Sequence, residues 1–169
     1  RIFAIFQEGT PSLNRYTATV GKEEAQKAVM AARQLGIPEN AIIYFAIDYD
    51  VMDKDIERVK RYFEGIKRVI NRYGKYYRVG IYGARNVCTK ICESGLAESC
   101  FVSDMSTGFS GNLGYKIPKN WAFDQFHEYQ FSSLDGTFGL DKNGYSGQYS
   151  GFDTVTVDNQ MIPDISDEY

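Results

Sequence analysis

The sequence predicts an α/β fold of the (β/α)8-type, TIM-like barrel class, incomplete at its amino-terminal side. Strand-like apolar segments and amphipathic helical segments alternate along most of the chain, which is the order of βαβ units with a parallel sheet. Along Ile42–Asp50 alternate residues differ in character, as expected where one strand face meets helices and the other faces a barrel interior. About six strands are recognisable, fewer than a closed barrel has, so we expect a fragment that begins within a longer domain.

An open, doubly wound sheet is the other architecture that this alternation allows. Its nucleotide-binding form carries a Gly-x-Gly-x-x-Gly or P-loop motif after a strand, and neither motif follows a predicted strand here. A chain of 169 residues suits one domain with a sizeable core, so we interpret residues 1–169 as a single domain. Residues 133–169 are its least clearly patterned part, because they are rich in Gly, Ser and Asp.

The amino-terminal part contains two predicted strands with a helix between them. Ile2–Gln7 is a buried strand, because apolar residues fill it almost from its first position. A polar loop, Thr10–Val20, follows it. Gly21–Leu35 is a helix, since its alanines recur at helical spacing and Gly36 ends the pattern. Ile42–Asp48 is the second strand, apolar up to its final aspartate.

The middle of the chain continues the alternation. Asp53–Tyr73 is a long amphipathic helix, with Asp53 as its expected N-cap residue. A strand, a helix and two further strands come next, at Arg78–Tyr82, Ala84–Ser94, Ser99–Ser103 and Trp121–Phe126. A Gly-rich loop separates the last two strands. A short strand at Phe152–Val157 is predicted before an acidic tail.

The composition narrows the classes of partner. A net charge of -3 and an isoelectric point near 5.2 give no electrostatic reason to expect nucleic acid or an anionic membrane surface. No apolar run approaches the roughly 20 residues that span a bilayer, so we expect no membrane insertion. Aromatic residues make up 15% of the chain, and tyrosine rings can stack on sugars as well as fill a core. A carbohydrate partner fits this composition.

The cysteines do not predict a metal site. Cys88, Cys92 and Cys100 include no Cys-x-x-Cys pair, and His127 is the only histidine. We interpret the cysteines as small buried hydrophobic residues, with one disulfide as the alternative. No metal and no cofactor are expected.

Two acids follow the second strand. Asp48 and Asp50 are two residues apart, so on an extended strand they share a face with Cα atoms roughly 6.5 Å apart. Glycosidases use carboxyl pairs about 5 to 9.5 Å apart, one acid protonating the leaving oxygen and the other acting as nucleophile, base or stabiliser. Two such charges in a partly dry site also raise one pKa. A metal site and a helix cap are the alternatives for this pair.

Other predicted strands also end in polar or aromatic residues. The carboxyl ends of parallel strands meet at one side of a barrel, where active sites of this architecture lie. A third candidate acid and six candidate substrate-binding residues come from these segments: Glu8, and then Gln7, Tyr82, Asp104, Trp121, Asp124 and Gln125. Each has an ordinary structural explanation, including surface charge, turn formation or core packing. Their shared position at the strand ends is the reason to group them.

Three motifs resemble one family. They are IYFAIDYD at Ile43–Asp50, YRVGIYGARNVC at Tyr77–Cys88 and NWAFDQF at Asn120–Phe126. In this order and spacing they resemble the Rv2525c-like glycoside-hydrolase-like domains, also called domain of unknown function 1906. That family is related in fold to the glycoside hydrolase family 25 lysozymes. The resemblance covers most of the chain from Ile2 to Phe126.

The resemblance implies a (β/α) barrel that is exported and acts at or near the cell wall. The related lysozymes carry an Asp-x-Glu at this strand end, which cleaves the β-1,4 bond after N-acetylmuramic acid. Asp48 and Asp50 match that pair, although Asp50 is one methylene shorter than Glu, and Glu8 is the alternative proton donor. Tyr82 would then hydrogen-bond the reacting sugar, and Gln125 would line the mouth of the barrel.

Three functions follow from these observations. The leading hypothesis is a glycosidase of peptidoglycan or a related β-linked aminosugar polymer, with Asp50 or Glu8 as acid and Asp48 as nucleophile or stabiliser. The second is a carbohydrate-binding or cell-wall-binding module on the same barrel, without catalysis. The third is a divalent-metal hydrolase that uses Asp48, Asp50 and Asp104, a set with no histidine ligand. We expect an extracellular or cell-wall location, with room for flanking domains in the full-length protein.

Overall fold

The computed structural model describes residues 1–74 and 76–156. Within these ranges the chain forms six strands and three α-helices. The strands are β1 (Ala4–Phe6), β2 (Ile42–Ile47), β3 (Arg78–Gly83), β4 (Ser99–Val102), β5 (Trp121–Ser133) and β6 (Gly136–Tyr145). The helices are α1 (Ala18–Gln34), α2 (Ile56–Arg72) and α3 (Arg85–Glu93). No helix in the described part of the chain has the length and apolar character needed to cross a membrane.

The six strands form one sheet in the order of the sequence, β1-β2-β3-β4-β5-β6. Neighbouring strands from β1 to β5 are parallel, with α1, α2 and α3 as the first three crossovers. β5 and β6 form an antiparallel hairpin instead. The α/β class and the partial barrel are therefore confirmed, as a half-barrel of six strands whose last pair is antiparallel.

The curl of the sheet is visible in one ring contact. The ring of Phe3, just before β1, lies 3.7 Å between centroids from the ring of Phe123 on β5. In a flat sheet four strand spacings of about 4.8 Å would separate these strands by roughly 19 Å. The sheet therefore bends until side chains from the two ends of its parallel part meet across the concave side.

The two faces of β2 have the characters that the alternation predicts. Ile43, Phe45 and Ile47 belong to the core between the sheet and the helices. Tyr44 points to the concave side, where it makes edge-to-face contacts with Phe101 and Phe123. An aromatic cluster therefore fills the inside of the half-barrel, as side chains fill the interior of a closed barrel.

Helices α1 and α2 cross at two glycines. A side-chain carbon at Gly21 would overlap the carbonyl oxygen of Tyr62, and one at Gly65 would overlap the carbonyl oxygen of Ala18. Both glycines are buried in helix interiors, where glycine is intrinsically unfavourable relative to alanine. Their role is the close approach of the two helix backbones.

Two helix starts differ from the sequence prediction. α1 begins at Ala18, within the predicted loop, because the side chain of Thr17 accepts a hydrogen bond from the backbone N–H of Val20 at 3.2 Å. The prediction of Asp53 as the N-cap residue of α2 is wrong. Asp53 begins a short 3₁₀ turn that precedes α2, and its carboxylate accepts a hydrogen bond from the hydroxyl of Tyr115 at 2.7 Å.

The carboxyl-terminal part differs most from the prediction. The strand predicted to end at Phe126 continues to Ser133, and β6 occupies the Gly- and Ser-rich segment that follows. The predicted strand at Phe152–Val157 is limited, among the described residues, to one antiparallel bridge between Phe152 and Ile2. Val157 and the acidic tail lie outside the described residues.

Candidate functional site

The first strands of the half-barrel end at one level, because Phe6 is in register with Phe45 and Ile47 with Gly83. The first residue after β2 is Asp48, which is half-buried. Its carboxylate accepts a hydrogen bond of 3.2 Å from the side-chain amide of Gln7, the first residue after β1. The structure thus brings Gln7 and Asp48 together at the carboxyl ends of the parallel strands, which form the mouth of the half-barrel.

A line of hydrogen bonds crosses the mouth from β3 to β6. The hydroxyl of Tyr82 donates to Oε1 of Gln125 at 2.6 Å. Nε2 of Gln125 donates in turn to Oδ2 of Asp141 at 2.7 Å. Because the amide of Gln125 is used at both ends, its orientation is fixed, and so is that of the Tyr82 hydroxyl.

The environment of Tyr82 raises the pKa of its hydroxyl. Burial, then the negative charges of Asp48 and Asp141, raise the pKa of Tyr82 to about 12. The hydroxyl therefore remains protonated at neutral pH and acts as a donor. Both carboxylates act electrostatically on this one hydroxyl, Asp48 from the position just after β2 and Asp141 from β6. We call Gln7, Asp48, Tyr82, Gln125 and Asp141 the mouth cluster.

Asp50 has a different environment from Asp48. β2 ends at Ile47, so neither aspartate is part of the regular strand that the sequence argument assumed. The carboxylate of Asp50 accepts a hydrogen bond of 2.7 Å from the hydroxyl of Ser110, in the loop before β5. Asp48 is held instead by Gln7. The two aspartates therefore have separate partners.

Glu8 is held on the outside of the mouth. Its two carboxylate oxygens lie 2.8 and 3.0 Å from the ammonium nitrogen of Lys27 on α1. This ion pair is exposed, with 41% of the Glu8 side chain accessible. Glu8 therefore has a cationic partner on α1, in addition to its position at the end of β1.

Asp104 and Asp124 share a third environment, beside Arg85. The guanidinium of Arg85 binds both carboxylate oxygens of Asp104, with Nε 2.7 Å from Oδ1. Burial, the like charge of Asp104 and a hydrogen bond to Asp104 raise the pKa of Asp124 to about 6, whereas Arg85 lowers it. Among the described residues, Oδ1 of Asp124 is a buried oxygen without a hydrogen-bond partner. Burial contributes to both features, since it raises the pKa and leaves one carboxyl oxygen with neither water nor a protein donor.

Asp124 should therefore give the protein a measurable pH dependence of stability. Its pKa is near 4 in an unfolded chain and about 6 in the folded one, so the folded state binds the proton more tightly. The stability that this proton gives is complete below about pH 4 and is lost as the pH rises to about 6. We expect Asp124→Asn to raise the melting temperature by about 2 to 4 °C at pH 7.5.

The same substitution should change little near pH 4, where both side chains are neutral. Melting curves of the two proteins between about pH 4 and 8 test this difference, since other titrating groups are common to both. A constant difference across this range would show that Asp124 is not the titrating group.

Trp121 lies apart from the mouth. Trp121 is the first residue of β5, whereas Gln125 follows the part of β5 that pairs with β4. The two residues therefore lie at opposite ends of this parallel part. A register shift after Cys100 turns Trp121 toward the core on the helix side. It is therefore not brought together with the mouth cluster. His127 lies farther along β5, on the exposed hairpin.

The aspartates considered as metal ligands have three separate partners. Asp48 is bound by Gln7, Asp50 by Ser110 and Asp104 by Arg85. In the part of the chain that the structure describes, no group of three or more His, Cys, Asp or Glu side chains could hold a metal ion.

Comparison with known proteins identifies the family. The model of the Rv2525c-like, glycoside hydrolase-like domain matches residues 1–167. The chain belongs to the Rv2525c-like family. The resemblance inferred from the three sequence motifs is thereby confirmed.

Two Bacillus subtilis (strain 168) proteins are similar to this Rv2525c-like domain. One, named uncharacterized protein YbfG, is 41% identical over 170 residues, which cover 97% of this chain and 23% of that protein. The other, named uncharacterized protein FadG, is 41% identical over 158 residues, which cover 92% of this chain and 27% of that protein. The chain thus spans about a quarter of the length of these relatives.

A solved structure has the same fold. The crystal structure of the Mycobacterium tuberculosis Tat-secreted protein Rv2525c in complex with HEPES matches with a TM-score of 0.68. The match covers 88% of this chain and 69% of that one, at 19% sequence identity. At this identity the similarity supports the Rv2525c-like fold and no residue roles.

Asp141 is the residue of the mouth cluster that the sequence reasoning missed. It lies in β6, whose glycines and polar residues do not give a clear strand pattern in the sequence. One signal was present: Phe138 and Leu140 alternate with polar or small residues, a period-two pattern that indicates a strand. In this Rv2525c-like domain the pairing of β6 with β5 is what carries Asp141 to the amide of Gln125.

Proposed function

We propose that this domain is a glycoside hydrolase that cleaves a β-linked aminosugar polymer, such as cell-wall peptidoglycan. The observation that supports the proposal is the mouth cluster itself, in which Asp48 accepts a hydrogen bond from Gln7 and Asp141 accepts one from Gln125. Glycoside hydrolysis requires two carboxyl groups that flank one bond. Membership of a glycoside hydrolase-like family is consistent with this chemistry.

The contacts of the mouth cluster support a role for each residue. Gln7 donates a hydrogen bond to Asp48 and orients its carboxyl group at the strand ends, so Asp48 is assigned as the nucleophile or the stabiliser of positive charge at the anomeric carbon. Asp141 is exposed and accepts a hydrogen bond from Gln125, and it is assigned as the acid that protonates the leaving oxygen. Tyr82 and Gln125 orient the sugar through hydrogen bonds.

Asp50 and Glu8 are the other two candidates for the acid. Each lies just beyond a strand end, but each has a partner outside the mouth cluster, Ser110 for Asp50 and Lys27 for Glu8. In this proposal they act only if those contacts break when substrate binds. Asp141 needs no such change, because its contact with Gln125 is already part of the mouth cluster.

A non-catalytic glycan-binding module is the second candidate function. A specific observation favours it: Glu8, Asp50 and Asp104, three of the acids expected at the mouth, are engaged by Lys27, Ser110 and Arg85. In that case the mouth cluster would bind sugar hydroxyls, and no bond would break.

One experiment separates these two functions. Purified peptidoglycan and β-1,4-linked N-acetylglucosamine oligomers are incubated with the domain, and both new reducing ends and bound protein are measured. The glycosidase proposal predicts reducing ends that increase with time and protein concentration. Saturable binding without reducing ends would support the module instead. Neither binding nor cleavage would contradict both functions for these glycans.

Export forms part of the proposal. The protein of the matching crystal structure is described as Tat-secreted, and a cell-wall substrate lies outside the cytoplasm. We therefore place the action of this domain at the cell wall. Fractionation of cells that make the full-length protein tests this, and a purely cytoplasmic signal would contradict it.

A further inference from the structure

The three cysteines of the chain converge on the helix-packed face of the sheet, between α3 and β4. Cys88 and Cys92 lie four residues apart on α3 and therefore on one face of that helix. Cys100 lies on β4, which packs against α3. All three are free thiols in the structure.

One pair of these thiols is in contact. The sulfur atoms of Cys92 and Cys100 are 3.2 Å apart, whereas a disulfide bond measures about 2.05 Å. A movement of roughly 1 Å in the last turn of α3 would close this gap. The sulfur of Cys88 also neighbours that of Cys100, but it is buried and donates a hydrogen bond to the carbonyl oxygen of Gly83 at 3.4 Å.

Access from solvent also distinguishes the members of the pair. Cys92 lines a surface groove of about 490 Å³, together with Thr89, Tyr115, Ile117, Pro118 and Asn120. Cys88 and Cys100 are fully buried. A small oxidant can therefore reach the sulfur of Cys92 first, with that of Cys100 directly behind it.

We propose that Cys92 and Cys100 are a site of disulfide formation, with a small-molecule disulfide or an equivalent thiol oxidant as co-reactant. The Cys92 sulfur, after losing its proton, attacks the oxidant RSSR, forms a mixed disulfide and releases RSH. The Cys100 sulfur then loses its proton and attacks the Cys92 sulfur, which releases a second RSH. The two cysteine thiols are oxidised and the oxidant is reduced to two thiols, so atoms and electrons balance.

The exchange is slow in the folded protein. The contact with Cys100 and burial raise the pKa of the Cys92 thiol, and the contact with Cys88 raises that of Cys100. The thiolate is the reacting form, so little of it is present at neutral pH. Long incubation at mildly alkaline pH is therefore the appropriate condition for a test.

The test uses the whole chain and oxidised glutathione as the probe. Free thiols are counted after denaturation, and peptides are mapped after the remaining thiols have been alkylated. We expect the count to fall from three to one, with a Cys92–Cys100 crosslinked peptide and an alkylated Cys88. Cys88→Ser is the matched variant, and both of its thiols should be lost.

Three results would overturn the proposal. The first is retention of all three thiols under conditions that oxidise the denatured chain. The second is a crosslink that contains Cys88. The third is glutathione that remains attached to Cys92. Peptide mapping of the unsubstituted chain identifies the crosslinked cysteines even if the Cys88→Ser variant fails to fold. None of these measurements requires a glycan assay.

Discussion

Asp48→Asn should lower the rate of glycan cleavage by about 10²- to 10⁴-fold and leave the fold intact. Asn keeps the size of the side chain and can still accept from the amide of Gln7, but it has no charge with which to attack or stabilise the anomeric carbon. Initial rates of reducing-end release measure the effect, and circular dichroism checks the fold.

Three matched substitutions assign the proton donor in the same assay. Asp141→Asn should cause a loss comparable with that of Asp48→Asn, because the proposed mechanism needs both carboxyl groups. Asp50→Asn and Glu8→Gln should each cost less than about tenfold, since their carboxylates are bound by Ser110 and Lys27. A large loss in Asp50→Asn with little change in Asp141→Asn would move the acid role to Asp50. Full activity of the Asp48→Asn variant would contradict the assignment of the mouth cluster as the active site.

Gly65→Val should destabilise the domain by about 3 kcal/mol, which corresponds to a fall in melting temperature of roughly 10 °C. The new side chain would overlap the backbone carbonyl of Ala18, so α1 and α2 would have to separate along their crossing. Backbone atoms cannot rotate away as a flexible side chain can. Thermal or urea unfolding gives the measurement.

For Gly65→Ala, helix propensity and the contact with α1 predict changes in stability of opposite sign. Helix propensity alone predicts that alanine stabilises a helix by about 1 kcal/mol relative to glycine. Contact with Ala18 predicts the opposite, and we expect destabilisation by about 1 to 2 kcal/mol. Arg68→Ala, at an exposed position of the same helix, is the control and should stay within about 0.5 kcal/mol. A more stable Gly65→Ala variant would show that the helices tolerate a wider spacing.

The helix-packed strands could be predicted because their signals are local. Ile43, Phe45 and Ile47 are apolar residues at period two, and their burial against the helices follows from that pattern alone. The position of Asp48 follows too, because a strand that fills a core must end where polar residues begin. Such features need no knowledge of the rest of the chain.

The features that sequence reasoning missed depend on partners that are distant in sequence. Asp50 pairs with Ser110 and Asp104 with the first residue of α3, Arg85, and the course of the loops that bring these residues together has no local signal. β6 has weak strand propensity, since Gly136, Gly139 and Gly144 interrupt it, and it forms by pairing with β5. Asp141 could therefore be recognised as a site residue only after the hairpin was known.

The half-barrel has a consequence for how a long substrate could enter. A closed ring of strand ends surrounds its ligand on all sides, whereas the described strands of this sheet border the mouth along only part of its circumference. On the proposed function, a polymer could therefore lie sideways across Asp48 and Asp141, with both of its ends extending into solvent. Such access would suit cutting within a chain, and the first products would then be long fragments instead of single sugars.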